Sequence, residues 1–199
     1  VLDPAVGTGI LTSQFRLLNS KAKIWANEID KKIIKYCINL FNEDNKFTLN
    51  EGNYLSHRYV QKFDAITLWH VLEHVVDLKD TLSYFKEALT ENGVLLIAVP
   101  NHKSYDAEYY REFWAAFDIP RHLYHFEQET VKFLLGQFNF KLIDVIPMKF
   151  DSYYVSMLSE KYRHGKNNLI GAIYRGLISN LKARSKKEYS SLIYVFKKN

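Results

Sequence analysis

The run Leu2-Asp3-Pro4-Ala5-Val6-Gly7-Thr8-Gly9 constrains this chain more than any other feature: a strand end meets two glycines and then a helical segment. Glycine lets the backbone turn sharply and approach a ligand closely. The helix that follows presents free N–H groups at its start. The next apolar stretch, Lys23–Glu28, ends in an acid. Strand, glycine loop, helix and a second strand closing on a carboxylate together open a nucleotide-binding α/β unit.

The rest of the chain continues that alternation. The patterns predict a helix over Gly9–Asn19, with Ile10, Leu11, Leu17 and Leu18 apolar, then the strand Lys23–Glu28. Asp30 reads as the N-cap of a helix reaching about Phe41, with Ile33, Ile34, Cys37, Ile38 and Phe41 on one face. Strands follow at Lys46–Leu49 and Phe63–Trp69, then a helix from Asp77 or Leu78 to near Thr90 and a turn at Glu91-Asn92-Gly93. Val94–Val99 is unbroken apolar, as in a strand buried on both faces. A helix over Glu127–Gln137 and strands at Phe140–Ile146 and Ser191–Phe196 complete the order. Such alternation predicts one α/β domain over residues 1–199, a mostly parallel sheet with helices on both faces. Residues 101–126, aromatic and irregular, read as a substrate lid, and residues 151–190 as a basic helical insertion before the last strand. Val1-Leu2-Asp3 already reads as the end of a strand, so the natural chain is expected to extend upstream. No apolar run approaches the ~18 residues of a membrane span. The single cysteine, Cys37, rules out an internal disulfide and fits a reducing, cytoplasmic setting.

Two cofactor classes compete for the glycine loop. A dinucleotide would set its pyrophosphate on the helix N-terminus, where the Asp3 carboxylate repels it; Thr12 also stands where the third fingerprint glycine belongs. S-adenosylmethionine carries no phosphate but a sulfonium and an amino group, which an acid at the end of the first strand favours. Glu28 suits the ribose hydroxyls of either cofactor.

The loop resembles motif I of class I S-adenosylmethionine-dependent methyltransferases, acid-x-Gly-x-Gly-x-Gly, with Ala5 in place of the first glycine. Ala26-Asn27-Glu28-Ile29 is similar to the family's ribose-binding segment, and Gly52-Asn53-Tyr54-Leu55 to the segment that contacts adenine. Phe63–His74 is similar to its fourth motif, and Leu89–Ile97 to its Leu-x-Pro-Gly-Gly turn and fifth strand, with Glu91-Asn92 replacing Pro-Gly. The resemblance covers Val1–Ile146, nearest to bacterial small-molecule enzymes of the ubiquinone-pathway O-methyltransferase type. It implies a Rossmann-like seven-stranded sheet in the order 3-2-1-4-5-7-6. It further implies S-adenosylmethionine bound by Asp3, Pro4, Ala5, Gly7, Gly9, Glu28, Ile29, Asn53, Tyr54 and Trp69. Asp3-Pro4-Ala5 also resembles adenine-N6 DNA methyltransferases. Their Asn/Asp-Pro-Pro-aromatic motif after strand four is here Leu68-Trp69-His70-Val71, which argues against that group.

Histidines gather in His70-Val71-Leu72-Glu73-His74 and in Pro120-Arg121-His122-Leu123-Tyr124-His125-Phe126. Methyl transfer to a hydroxyl or amine needs the nucleophile aligned and its proton removed, and histidine titrates near neutrality. His70, Glu73 and His122 are therefore the candidate catalytic residues, with His70 first as base; a plain wall residue is the alternative for His70. A metal site is a further alternative, with His70, Glu73, His74, His122 and His125 as donors. That set is similar to the Glu-x-x-Glu-His plus distant His of metal-dependent methyltransferases, with His70 in place of the first Glu.

Leu169, Ile170, Ile173, Tyr174, Leu177, Ile178 and Leu181 repeat at helical spacing, interrupted by Gly171 and Gly176. From Lys161 to Lys187 there are eight Lys or Arg and no Asp or Glu, so of the total +5 the rest of the chain carries −3. Three readings stand side by side: a helix packed on its own domain or on a second copy, an interfacial membrane contact through residues 167–187, or a nucleic-acid patch, against which the lack of any recognised module argues. The expected activity is methyl transfer to a small-molecule hydroxyl, on an acceptor that the apolar segment would suit if lipid-like. An RNA methyltransferase and a non-catalytic S-adenosylmethionine-binding module are the alternatives.

Overall fold

The computed structural model describes residues 1–199. Its strands are β1 (Leu2–Asp3), β2 (Ile24–Glu28), β3 (Phe47–Glu51), β4 (Phe63–Trp69), β5 (Leu89–Pro100), β6 (Phe140–Pro147) and β7 (Ser191–Lys198). Its helices are α1 (Ile10–Leu18), α2 (Lys31–Leu40), α3 (Leu78–Ala88), α4 (Tyr105–Tyr110), α5 (Gln128–Gln137), α6 (Asp151–His164) and α7 (Leu169–Lys186). One sheet runs β3-β2-β1-β4-β5-β7-β6, the expected order, with β7 antiparallel to both neighbours. β1 pairs with β2 on one side and β4 on the other, so the chain reverses its direction of travel across the sheet there. The crevice beyond the carboxyl ends of those strands is where such sheets bind ligands.

Local chemistry explains the main elements. The Asp30 side chain accepts from Lys32 N–H and Ile33 N–H and so caps α2, which buries Ile34 and Cys37. β4 and β5 place Phe63, Ile66, Leu68, Leu95 and Ile97 in the core, and Leu82, Phe85 and Leu89 close over them. The expected turn at Glu91-Asn92-Gly93 is instead part of β5, and α3 ends at Ala88. Phe63 pairs with Leu89 and Ala65 with Val94, so the extra residues of β5 bulge against β4 without ending the strand. Ile10, Leu11, Leu17 and Leu18 of α1 are exposed; the helix buries only Thr12.

Residues 101–126 build a second, smaller core. Ala107, Tyr110, Trp114, Ala115 and Ala116 pack on Val155 of α6. The Asp106 carboxylate, fully buried, ties this region together: it accepts from Trp114 Nε1 (2.8 Å), Ser179 Oγ of α7 (2.6 Å) and Ser190 Oγ before β7 (2.7 Å). A buried carboxylate is costly unless its oxygens are bonded, and these three donors come from three segments.

α6 and α7 form an antiparallel hairpin. α7 turns Ala172, Gly176, Ser179 and Ala183 inward, and α6 meets it with Ser152, Val155, Ser156 and Ser159. Small side chains bring the two backbones together. A Cβ on Gly176 would lie 2.9 Å from the Tyr153 Cα, and Ser152 Oγ donates to the Gly176 carbonyl. Gly176, which weakens an isolated helix, is thus the point of closest approach. The large apolar residues Leu169, Ile170, Ile173, Tyr174, Leu177 and Leu181 of α7 are exposed, so of the three readings of this segment, packing of that stripe on its own domain is not what the fold adopts. Gly176→Val should cost about 1–3 kcal/mol by overpacking, read as a lowered urea midpoint; an unchanged midpoint would show that the helices need no such contact.

Candidate active site

The glycine loop is held by two carboxylates. Glu28, at the end of β2, accepts from Gly7 N–H with Oε2 (3.0 Å) and from Ile29 and Asp30 N–H with Oε1 (2.8 and 3.0 Å). Asp3, at the end of β1, is buried and accepts from Thr12 Oγ1 with Oδ2 (2.5 Å), while its Oδ1 has no partner. Burial, reinforced by the nearby Glu28 carboxylate and only partly offset by the Thr12 hydroxyl and the Ala5 N–H, raises the Asp3 carboxyl to about 6. Thr12, the residue replacing the third glycine, thus fixes the orientation of the acid. Gly9 sits at φ +72° before α1, and a Cβ there would come within 2.9 Å of the Phe41 ring. Its place needs both the left-handed backbone and the absent side chain. The Cys37 thiol donates to the Gly7 carbonyl beneath.

A cleft of about 450 Å³ opens in front of this loop, lined by Pro4, Ala5, Glu28, Ile29, Gly52, Asn53, Tyr54, Leu55 and, from beyond β4, Val71, His74, Val75, Val76, Asp77 and Thr81. Its size suits a small-molecule cofactor. Six of the ten residues expected around a cofactor are in this wall: Pro4, Ala5, Glu28, Ile29, Asn53 and Tyr54. Asp3, Gly7 and Gly9 are not in it, though Gly7 N–H donates to Glu28 of the wall. Trp69, at the end of β4, is not among the residues that line the cleft. Tyr54 donates to, or accepts from, Thr81 Oγ1 and stacks on Phe85. Asn53 Oδ1 accepts from Leu55 N–H and shapes the turn that follows β3. Val71, Val75, Val76, Asp77 and Thr81 were not among the expected site residues, and His74 was expected only as a metal donor; the signal for all of them was only that they follow the fourth strand.

The histidines separate into distinct roles. His70 has φ +53°, and its backbone N–H donates to Ala98 O. Its Nδ1 meets Glu73 Oε1 at 3.2 Å and its Nε2 meets Asp151 Oδ2 of α6 at 3.3 Å. Burial pulls its pKa down, but the two carboxylates more than offset that and raise it to about 9. Both ring nitrogens thus face carboxylates, an environment that favours the protonated ring over the free base expected from the sequence. His70 is a clamp between the β4 loop and the helical insertion. Asp151, far away in sequence, gave no hint of this pairing.

His122 has the opposite environment. Its Nδ1 lies 2.8 Å from the Ala116 carbonyl, which can only accept, so Nδ1 carries the proton and Nε2 keeps a lone pair. His74 is arranged the same way, its Nδ1 donating to Arg121 O. The two rings meet edge to face at 4.7 Å. Burial lowers the His122 pKa, which keeps it neutral. Of the five candidate metal donors, Glu73, His74 and His122 each offer an atom within 4.8 Å of the others. His70 is held by its carboxylates, and His125 spends Nε2 on the Phe117 carbonyl. Glu73 is buried, and its Oε2 has no hydrogen-bond partner.

His122 also lines a second cavity of about 220 Å³, with His70, Ala115, Ala116, Asp118, Arg121, Tyr154, Val155, Leu158 and Tyr162 among its walls. The His74–His122 pair thus stands between the two cavities, one ring in each wall. The arrangement offers a cleft with an anionic end, an adjoining and partly apolar chamber, and an imidazole lone pair between them.

Comparison with solved structures agrees with this anatomy. A SAM-dependent methyltransferase from Archaeoglobus fulgidus superposes with TM-score 0.62 at 16% identity, over 99% of this chain and 85% of that one. The cyclopropane synthase MmaA2 from Mycobacterium tuberculosis gives TM-score 0.66 at 13% identity, over 99% and 77%. The Haemonchus contortus phosphoethanolamine N-methyltransferase 2, in complex with phosphomonomethylethanolamine and S-adenosylhomocysteine, gives TM-score 0.66 at 14% identity; the match covers 99% of this chain but only 48% of that one. These likenesses are of fold. Among curated proteins no sequence matches the chain. The model of the family described as "Methyltransferase domain" matches residues 1–145, and the chain belongs to that family of S-adenosylmethionine-dependent methyltransferases.

Proposed function

We propose that the chain moves a methyl group from S-adenosylmethionine to a hydroxyl of a small, largely apolar and lipid-like acceptor. The observation that carries this reading is the lone pair of His122 Nε2 in the wall between the cofactor cleft and a chamber with Ala115, Ala116, Val155 and Leu158. S-adenosylmethionine, when bound, supplies a methyl group on a sulfonium. The acids at the ends of β1 and β2 fit it: Asp3 Oδ1 is a buried acceptor without a donor. A carboxylate has about four acceptor positions, and Glu28 has three taken. That leaves capacity for a ribose hydroxyl. Asn53, Tyr54, Ile29 and Leu55 form the adenine side in this reading. His122 takes the acceptor's proton, and Asp118 Oδ2, 3.8 Å from Nε2, pairs with the resulting imidazolium. His70 and Glu73 hold the loop in place.

The test is a screen of hydroxyl-bearing small molecules with methyl-labelled cofactor. On an acceptor so found, His122→Asn should lower kcat about a hundredfold or more while S-adenosylhomocysteine affinity in calorimetry stays unchanged; retained turnover would remove His122 from the base role. Tight cofactor binding with no acceptor methylated would favour the non-catalytic binding module.

A second reading is favoured by Glu73 Oε2, buried and without a partner beside two imidazoles with free lone pairs. Glu73, His74 and His122 would hold a divalent transition metal, which as a Lewis acid polarises an acceptor oxygen. Equilibrium dialysis with zinc or manganese should then give one equivalent, lost in His74→Ala; no retained metal, and turnover indifferent to chelator, would leave the metal-free reading standing.

Asp3 gives a pH signature. Its carboxyl sits at about 6 in the folded chain against an ordinary value of 3.8. The folded state therefore holds a proton that the unfolded chain has released, and stability declines as pH rises between those values and stays lower above them. Asp3→Asn should melt above the native chain at pH 7, with the gap closing below about pH 4. It should also bind S-adenosylhomocysteine roughly tenfold or more weakly. Melting scans across pH and calorimetry check both; a variant less stable at pH 7 with native affinity would refute the role given to Asp3.

A further inference from the structure

α7 presents its large apolar side chains to solvent. Ile170, Ile173, Tyr174, Leu177 and Leu181 are all exposed, Ile170 at 84%. The face toward the domain is made of Ala172, Gly176, Ser179 and Ala183. A helix on a globular domain ordinarily buries its large apolar stripe, and contiguous exposed patches of this kind mark interaction sites. Lys166, before the helix, and Arg184, Lys186 and Lys187, at its end, are exposed too, within a stretch that holds no acid from Lys161 to Lys187. Arg175 and Lys182 lie over the rings of Tyr109 and Tyr105, each at 4.0 Å.

We propose that this face docks on an anionic lipid bilayer. The apolar residues enter the boundary between headgroups and acyl chains, and the basic residues at both ends of the helix meet the headgroups. The charge selects this occupant. A second copy related by a twofold axis would bring the cations at the ends of this helix, Lys166, Arg184, Lys186 and Lys187, toward a like set with no acid from the same stretch to pair with them. A nucleic acid would be offered aliphatic side chains at the centre of the face, where phosphate contacts are needed. No helix is long and apolar enough to cross a membrane, so α7 lies in the plane of the surface. The same hairpin walls the second cavity through Tyr154 and Leu158. This inference goes beyond methyl transfer and does not need it, since binding is read without turnover.

The experiment is flotation of the full chain with phosphatidylcholine vesicles, with and without phosphatidylglycerol, at low and high salt. Binding is expected only with phosphatidylglycerol and should weaken with salt. It should fall about tenfold or more in Ile170→Glu/Leu177→Glu and in Lys186→Glu/Lys187→Glu. Both double variants should keep the native melting temperature, because the replaced side chains point outward. The proposal is overturned by failure to float with anionic vesicles, by equal binding to neutral ones, or by binding that neither variant weakens. A dimer in light scattering that Ile170→Glu/Leu177→Glu dissolves would assign the face to a second copy and overturn it equally.

Discussion

The Glu28 carboxylate is the contact on which the rest of the site depends. One side chain at the end of β2 accepts N–H bonds from the glycine loop and from the start of α2, so it sets two connections of the sheet at once. A carboxylate buried there is tolerated because its oxygens are satisfied. Asp3 does the matching work at the end of β1, where Thr12 reaches back from α1 to hold it. Glu28 lines the cleft, while Asp3 is buried outside that lining with its Oδ1 unpartnered.

The loop after β4 divides its chemistry by surroundings. Placed between Glu73 and Asp151, the His70 ring has its pKa raised by two carboxylates, which favours its charged form. His122, bonded through Nδ1 to a carbonyl and with no carboxylate in hydrogen-bond contact, is held neutral with one lone pair free. The same side chain thus becomes a structural cation in one place and a candidate base in the other, according to whether carboxylates or carbonyls reach its ring nitrogens. The His70–Asp151 contact also joins the nucleotide-binding half to the helical insertion, so the walls of the two cavities are not independent.

Much of the framework was legible in the residues. The alternation of apolar runs with glycine turns led to the strand order through the family resemblance, and Asp30 announced the cap of α2. Pro4, Ala5, Glu28, Ile29, Asn53 and Tyr54 were identified from motif position and line the cleft. Position along a motif does not report which way a side chain is turned, and Trp69, expected around the cofactor, is not among the residues that line the cleft. The Glu91-Asn92-Gly93 turn failed for a related reason: glycine beside polar residues reads as a chain reversal, whereas pairing with β4 at Leu89 and again from Val94 carries the strand through them as a bulge.

Local sequence determined which residues share an element and which share a face, because helix and strand periods are local properties of the backbone. It could not determine what each face meets. In α7 the period separates a stripe of large residues from a stripe of small ones, and either could have packed inward. The tertiary structure chose the small stripe, because Ser152, Ser156 and Ser159 of α6, the Gly176 close approach and the Asp106–Ser179 bond admit a partner only at short distance. His70 was likewise visible as a histidine in the right place, but one of the two carboxylates at its ring, Asp151, is brought to it from a distant part of the chain. Interactions between distant segments carry no local period, and only the folded chain states them.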